Sequence, residues 1–245
     1  MTTAVIVQAR MGSTRLPAKV MQELAGRTVL HHVLERCRMI PMAGVVICAV
    51  PDEPASAPLE TVATECGSVV FFGSEKDVLA RYLGAARAVH AEIVMRVTSD
   101  CPLIDPKICG EVLALRERES ADYAANNAPR SYPQGLDCEA FTVAALAEAA
   151  ETARDAYDRE HVTPWLRRAA HLKRVNLASD DASLQAHRWT LDYPEDLAFF
   201  RAVFAALPSG VRAGTTEILQ LLAQRPDIVA INAGRVVEHV AREAR

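Results

Sequence analysis

Short runs of β-branched residues alternate with amphipathic stretches through the first half of the sequence. The runs predict strands over 4–9, 45–50, 68–72 and 92–98. The stretches between them carry apolar residues at helical spacing and predict helices over 28–39, 58–66 and 77–90. This order is typical of consecutive βαβ units around a parallel sheet, so the chain is predicted to be an α/β protein.

The second half of the sequence breaks this rhythm before resuming it. Asp105 and Pro106 have the residue types of a helix N-cap and first helical position. A polar segment rich in Asn, Pro and Gly then predicts a small flap insertion near 121–142. Beyond it we predict helices over 142–152, over 159–170 and from Pro194 onward, and strands over 172–177 and 188–191.

Length and composition exclude several classes of protein. A chain of 245 residues, half of them hydrophobic, is predicted to form a single domain over 1–245. A net charge of −4 gives no general attraction to nucleic acid or to anionic lipid. The six cysteines lack metal-ligand spacing, and no apolar stretch approaches the roughly 20 residues of a membrane span. With no signal peptide pattern at the start, we expect a cytoplasmic protein without nucleic-acid or membrane partners.

The loop after the first predicted strand concentrates cations around small residues. In QARMGSTRLPAK, the side chains Arg10, Arg15 and Lys19 flank the flexible run 12–14. Such a loop can fold its cations and backbone N–H groups around a chain of phosphates. It matches neither the P-loop nor the G-x-G-x-x-G pattern. A solvated basic turn is the alternative, and spacing alone does not separate the two.

Five blocks of sequence resemble one family of enzymes. In order, they are R-x-x-S-x-R-L-P-x-K (10–19), F-G-S-x-x-D-V-L-x-R-Y (72–82), R-V-T-S-D-C-P-L-I-D (96–105), Y-P-x-G-L-D-x-E (132–139) with R-E-H-V-T-P (159–164), and R-W-T-L-D-x-P-E-D (188–196). Together they resemble the CMP-sugar synthetases, or cytidylyltransferases, which include the 3-deoxy-manno-octulosonate and acylneuraminate enzymes. Within that family they are most similar to the branch of spore coat polysaccharide biosynthesis protein F.

The resemblance implies both a fold and a reaction. The fold is a three-layer α/β/α nucleotide-diphospho-sugar transferase, which is Rossmann-like, with a mostly parallel sheet. The reaction is the Mg²⁺-dependent transfer of CMP from CTP to a sugar acid of the 2-keto-3-deoxy type, with release of pyrophosphate, in surface polysaccharide biosynthesis. The partners are these small molecules, and the family also suggests a homodimer.

The resemblance also assigns two metal ligands, Asp100 and Asp192. Carboxylates at neighbouring strand ends can share a magnesium ion that bridges triphosphate oxygens. The alternative is that each aspartate caps the turn or helix that follows it, since Pro102 and Pro194 come two residues later. The proposed catalytic residues are Arg15, Lys19 and Asp100. The proton of the attacking hydroxyl would go to Asp100 or to a hydroxide on the metal.

Nucleotide recognition is assigned to a wider set of residues. The octulosonate enzymes usually have N-V-Q-G-D-E-P where this sequence has Thr98 and Cys101 in place of the glutamine and the acid. Cytosine requires donors for its O2 and N3 atoms and an acceptor for its amine. The predicted nucleotide-binding residues are Ala9, Arg10, Ser13, Arg15, Lys19, Ser74, Asp77, Arg96 and Thr98.

The acceptor sugar is expected to contact the insertion and the helix after it. The predicted residues are Tyr132, Asp137, Glu139, Arg159 and His161. Acids, a histidine and an aromatic ring suit a polyhydroxylated substrate, and an arginine suits its carboxylate. Ordinary surface positions on a helix, or a partly buried anchor for Tyr132, are the alternatives.

Two other functions remain open from the sequence. A glycosyltransferase could use D-C-E (137–139) as an acidic metal motif, although the loop 15–19 suits a free triphosphate better. A binding protein without catalysis could also keep this fold, although intact Arg15, Lys19, Asp100 and Asp192 argue against it.

Overall fold

The computed structural model describes residues 2–207 and 212–235. The strands are β1 (Thr3–Gln8), β2 (Glu23–Leu24), β3 (Arg27–Thr28), β4 (Val45–Pro51), β5 (Val69–Gly73), β6 (Ile93–Thr98), β7 (Tyr123–Ala125), β8 (Glu139–Thr142) and β9 (Arg174–Asn176). The helices are α1 (Val29–Arg38), α2 (Ala57–Glu65), α3 (Val78–Ala88), α4 (Pro106–Arg118), α5 (Val143–Thr152), α6 (Ala156–His161), α7 (Pro164–Arg168), α8 (Pro194–Ala206), α9 (Thr215–Gln224) and α10 (Pro226–Ala230). Short 3-10 helices occupy Lys19–Met21, Pro54–Ser56 and Ala182–Ala186.

Seven strands form the central sheet in the order β5-β4-β1-β6-β8-β7-β9. The first four in this order are mutually parallel, and β8 runs antiparallel to both of its neighbours. β9 is parallel to β7. The mostly parallel sheet that the sequence predicted is therefore confirmed.

Helices cover both faces of the sheet, which gives the predicted three layers. Alternate residues of β1 divide between two apolar clusters: Val5 and Val7 pack with α1, α4 and α8, whereas Ala4 and Ile6 pack with α3 and α5. A strand buried on both faces must be apolar at every position, which explains the continuous apolar runs in the sequence.

Most of the predicted helix boundaries are confirmed within one or two residues. Asp105 is the N-cap of α4, because its carboxylate accepts the N–H groups of Lys107 and Ile108 at 2.8 and 3.4 Å. The predicted helix over 159–170 is two helices instead. Val162 has a φ of 70°, which an α-helix does not accommodate, so α6 ends at His161 and a new helix, α7, begins at Pro164.

Two further predictions about the second half need correction. The segment predicted as a flap near 121–142 contributes β7 and β8 to the central sheet, so only the loop between them stands apart from it. The predicted strand over 188–191 is an extended segment with one isolated bridge, between Arg188 and Gln134. The segment is held by single hydrogen bonds instead, including that from Leu191 N–H to the carbonyl of Asp100 at 2.9 Å.

Among the described residues, every helix is too short or too polar to cross a bilayer.

Candidate functional site

A cavity of about 330 Å³ opens where β1 and β6 end side by side. Successive strands are added on one side of β1 as far as β5, and the chain then returns to the other side with β6. In open α/β sheets, ligands bind at the carboxyl edge where strand order reverses in this way. The predicted site residues on the cavity wall are Ala9, Arg10, Ser13, Arg15, Lys19, Arg96, Thr98, Asp100, His161 and Asp192.

The loop after β1 forms one wall of this cavity. It ends at Ala18, whose left-handed φ of 49° begins the 3-10 helix Lys19–Met21, closed by a hydrogen bond from Met21 N–H to the Ala18 carbonyl at 2.9 Å. Val20 is buried in the core, and this anchors the turn. The turn therefore fixes where the side chain of Lys19 enters the cavity.

Lys19 joins the two aspartates that were predicted to bind metal. Its Nζ donates to Asp100 Oδ2 at 2.8 Å and to Asp192 Oδ1 at 3.0 Å. Burial would raise the pKa of Asp100, but the ammonium of Lys19 outweighs it and lowers that pKa to about 2. Burial likewise opposes the charge on Lys19, yet the two carboxylates raise its pKa. The site is therefore fully charged at neutral pH.

Arg15 adds a second cation to Asp192. Its Nη2 lies 3.1 Å from Asp192 Oδ1, and its Nη1 donates to the hydroxyl of Tyr193 at 3.1 Å. The guanidinium also sits 4.9 Å from the centre of the Tyr193 ring. Because the Arg15 side chain is still 49% exposed, it can reach an incoming anion without leaving the cavity mouth.

Arg188 is a site residue that the sequence analysis missed. It is buried, and its Nη2 contacts both Asp192 Oδ2 and Asp196 Oδ2 at 3.0 Å. Asp196 in turn accepts the backbone N–H groups of Asp192 and Tyr193 at 2.9 and 3.0 Å. Arg188 and Asp196 thus fix the orientation of Asp192. The signal was present in the sequence, since Arg188 precedes Asp192 by four residues and Asp196 follows it by four.

The alternative that Asp100 and Asp192 are helix caps is not what the structure shows. The first turn of α8 is capped by Asp196, and α4 is capped by Asp105. The carboxylate of Asp192 instead meets Arg15, Lys19 and Arg188. Both aspartates are therefore placed for charge at the cavity rather than for capping.

Two of the residues predicted to read the base, Ser74 and Asp77, lie off the cavity wall. Asp77 caps α3 through the N–H of Ala80 at 3.0 Å and holds Arg159 through its other oxygen. Ser74 Oγ accepts the N–H of Asp77, and the N–H of Ala9 is donated to the carbonyl of Ala49. Ser74 and Asp77 are thus engaged within the protein and away from the cavity wall, and the nucleotide contacts predicted for them stay predictions.

Gln8 and Arg81 line the cavity in their place and were also missed by the sequence analysis. The side-chain oxygen of Gln8 and the Nε atoms of Arg81 and Arg96 are buried and have no hydrogen-bond partner in the protein. Buried polar atoms without a partner are costly, so this wall holds hydrogen-bonding capacity that the protein itself does not use.

Two of the residues predicted to face the sugar, Glu139 and Arg159, bind other groups within the protein. Glu139 is 1% exposed and is held by Arg96 Nη1 at 2.7 Å and by Arg167 Nη2 at 2.6 Å. Arg159 ties α6 to Asp77 and to the carbonyls of Ala150 and Ala153. The polar atoms of Glu139 and Arg159 therefore have partners inside the protein, and the sugar contacts predicted for these two residues stay predictions.

The loop between β7 and β8 supplies no wall to this cavity. Asp137 accepts from Arg130 Nη1 at 2.6 Å and from the N–H of Gly135 at 3.0 Å, and Tyr132 packs against the core. Tyr132 and Asp137 thus lie off the cavity wall, and the sugar contacts predicted for them stay predictions. With Glu139 buried and Asp137 paired, the acidic triplet 137–139 is also unsuited to the metal motif of a glycosyltransferase.

The wall contributed by α6 carries His161, as predicted, together with Glu160. Glu160 Oε1 lies 4.0 Å from Arg10 Nη2 across the opening. Burial lowers the pKa of His161, so its ring is neutral at neutral pH and can both donate and accept hydrogen bonds. This wall faces the loop after β1 across the opening and can hold a polar substrate beside that loop.

We expect Lys19→Ala and Arg15→Ala each to lower kcat/KM for the predicted nucleotide substrate by on the order of 10²-fold, because each would remove the charge-assisted contact to phosphate that the sequence predicts. Steady-state kinetics with varied nucleotide measures the effect. Lys107→Ala is the matched control, since that side chain is 85% exposed on α4 and outside the cavity. Unchanged kinetics in both site variants would mean that the loop is only a surface turn.

Comparisons with known proteins agree with this geometry. A family model described as "Cytidylyltransferase" matches residues 4–197. The chain is 29% identical over 231 residues to the spore coat polysaccharide biosynthesis protein SpsF of Bacillus subtilis, a match that covers 91% of this chain and 94% of that protein. A cytidylyltransferase structure from Leptospira borgpetersenii is 29% identical and superposes with a TM-score of 0.88, covering 94% of this chain and 97% of the other.

A third comparison concerns the fold alone. The structure of a CMP:2-keto-3-deoxy-manno-octonic acid synthetase complexed with CTP is 18% identical to this chain and has a TM-score of 0.63. The match covers 84% of this chain and 99% of that one.

Proposed function

Because this chain belongs to the cytidylyltransferase family of nucleotidyltransferases, we propose that it transfers CMP from CTP to a sugar acid of the 2-keto-3-deoxy type, with Mg²⁺ as cofactor and with release of pyrophosphate. The name of the Bacillus subtilis relative favours a place in polysaccharide biosynthesis. The observation that carries the proposal is the cluster in which Lys19 is shared by Asp100 and Asp192, at the mouth of the cavity between β1 and β6.

The donor set at this cluster suits a divalent cation. Asp100 and Asp192 offer carboxylate oxygens, the ligands that Mg²⁺ prefers, and they already converge on one ammonium group. They would hold the ion together with triphosphate oxygens. When bound, the ion supplies positive charge against the charge that develops on the phosphates.

Arg10, Arg15 and Lys19 are proposed to hold the triphosphate. In the reaction, a hydroxyl oxygen of the acceptor bonds to the α-phosphorus, the bond from that phosphorus to the bridging oxygen of the β-phosphate breaks, and pyrophosphate leaves. The three cations offset the negative charge on the departing group. Arg15 and Lys19 already pair with carboxylates in the structure, so both are positioned at the cavity mouth before substrate enters.

Asp100 is better suited to carry charge than to accept the proton of the attacking hydroxyl. With the ammonium of Lys19 beside it, its pKa of about 2 makes it a weak base. His161, whose pKa is lowered by burial and which is therefore neutral at neutral pH, is the proposed proton acceptor on the opposite wall.

Recognition of cytosine is proposed for the wall formed by Gln8, Arg81, Arg96 and Thr98. Cytosine presents two acceptors and one amine donor. The side-chain oxygen of Gln8 would accept from the amine, and the arginines would donate to O2 and N3, once these buried groups turn toward the cavity. This assignment replaces Ser74 and Asp77 in the base-reading role.

The proposal predicts a preference among nucleotides and acceptors. We expect CTP, with Mg²⁺ and a 2-keto-3-deoxy sugar acid, to release pyrophosphate and to form the CMP-sugar, detected by mass spectrometry. The four nucleoside triphosphates are compared under the same conditions, with Lys19→Ala as the impaired control. If calorimetry ranks ATP or UTP above CTP, the cytidylyl assignment is wrong. If neutral sugars react but sugar acids do not, the acceptor class is wrong.

A further inference from the structure

A second cluster of potential metal ligands lies away from the cavity, between α1 and the end of α2. It consists of His31, Glu35 and Cys66, with one ligand atom from each within 4.8 Å of the others. None of the three residues lines the cavity between β1 and β6. The reaction proposed above does not use them.

The three side chains are held by well-anchored backbone. His31 lies in the first turn of α1, where its N–H donates to the N-cap Thr28 Oγ1 at 3.1 Å, and Glu35 follows one helical turn later on the same face. Cys66 is the C-cap of α2, and its carbonyl accepts Arg38 Nη1 of α1 at 2.6 Å. The pair of helices therefore fixes all three Cβ positions.

The spacing of these atoms is close to that of a metal site. His31 Nδ1 lies 3.3 Å from Cys66 Sγ. In a tetrahedral zinc site, bonds of about 2.3 Å to sulfur and about 2.0 Å to nitrogen place these two atoms about 3.5 Å apart. Glu35 is half-buried, and its carboxylate oxygen lies within 4.8 Å of the other two ligand atoms, so it would have to move closer for all three to bind one ion.

We propose that His31, Glu35 and Cys66 form a binding site for a borderline-soft divalent cation of the zinc class, with water completing the coordination. Sulfur and imidazole nitrogen favour such a cation over Mg²⁺, which prefers oxygen ligands. One thiolate and one carboxylate balance its two positive charges. The ion would join α1 to α2 as a structural clip, and its occupancy would be separate from that of the catalytic metal.

Titration of the reduced, metal-free protein with Co²⁺ tests this site, because a thiolate ligand gives an intense near-ultraviolet charge-transfer band. We expect one equivalent of Co²⁺ to produce this band and Zn²⁺ to abolish it. Cys66→Ser should remove the band, and His31→Ala and Glu35→Gln should each weaken Co²⁺ binding at least tenfold. Zn²⁺ should also raise the thermal midpoint of the wild type and not that of His31→Ala.

Two controls separate this site from the catalytic one. Cys101→Ser and the double variant Asp100→Asn, Asp192→Asn should keep the band, because these residues belong to the cavity. His171→Ala is the matched histidine control, since it removes an exposed histidine that faces Glu148. A wild-type protein without the band, or a band that survives in Cys66→Ser, would overturn the proposal. If Cys66→Ser does not fold, unchanged Co²⁺ affinity in both His31→Ala and Glu35→Gln would do so.

Discussion

Asp100→Asn and Asp192→Asn are each expected to lower kcat by on the order of 10³-fold, because each removes a carboxylate that the proposed Mg²⁺ requires. Two ligands of one ion act as a unit, so the double variant should be scarcely worse than the poorer single variant. Steady-state kinetics at saturating CTP and Mg²⁺ measures all three. Both single variants should stay folded, because Arg188 still pairs with Asp196 and Lys19 still pairs with the remaining aspartate.

The matched control for these aspartate substitutions is Asp52→Asn. Asp52 is exposed at the end of β4 and lies outside the cavity, so its variant should have wild-type kinetics. Full Mg²⁺-dependent activity in Asp192→Asn would contradict the metal assignment. Circular dichroism on the same samples shows whether any loss of activity merely follows unfolding.

Glu139→Gln is expected to lower the free energy of unfolding by about 3 kcal/mol, because it leaves two arginines without their buried counter-ion. The Glu139 carboxylate is 1% exposed, the Arg96 side chain is 15% exposed, and both meet beside the phenol of Tyr123. Urea unfolding measures the change. Glu148→Gln, at an exposed pair with His171, should change the free energy of unfolding by less than about 0.5 kcal/mol.

The buried carboxylate of Glu139 and its two arginine partners also predict how the stability of the protein depends on pH. Burial would raise the pKa of Glu139, but Arg96 and Arg167 outweigh it and lower that pKa from 4.5 to about 2. A lowered pKa in the folded state stabilises the protein above about pH 4.5, and this contribution is lost as the pH falls toward 2. The difference in unfolding free energy between wild type and Glu139→Gln should therefore narrow below pH 5. A difference that stays constant to pH 3 would mean that the charge of Glu139 is not what stabilises the fold.

Residues that act on the backbone next to them could be identified from the sequence. The parallel strands were visible because both faces of each are buried, which requires continuous apolar runs such as that of β1. Asp105 could be identified as a cap because its partners are two and three residues away. The assignments of the loop 10–19 and of Asp192 followed from the resemblance of the sequence blocks to the cytidylyltransferases, since spacing alone left them undecided.

The tertiary structure alone decided which charged groups are available to a ligand. Asp77 and Arg159 neutralise each other across 82 residues, and Arg96 neutralises Glu139 across 43 residues. Local pattern could not show that Asp77, Arg159 and Glu139 have these partners within the protein. Local pattern also could not show that Lys19 contacts both Asp100 and Asp192, which lie 81 and 173 residues further along the chain. Local periodicity specifies backbone conformation, whereas the pairing of charges depends on which strand ends the fold brings together. For that reason the sequence by itself determined the sheet and the loops that line the site, and only the folded chain determined which of their charges face the cavity.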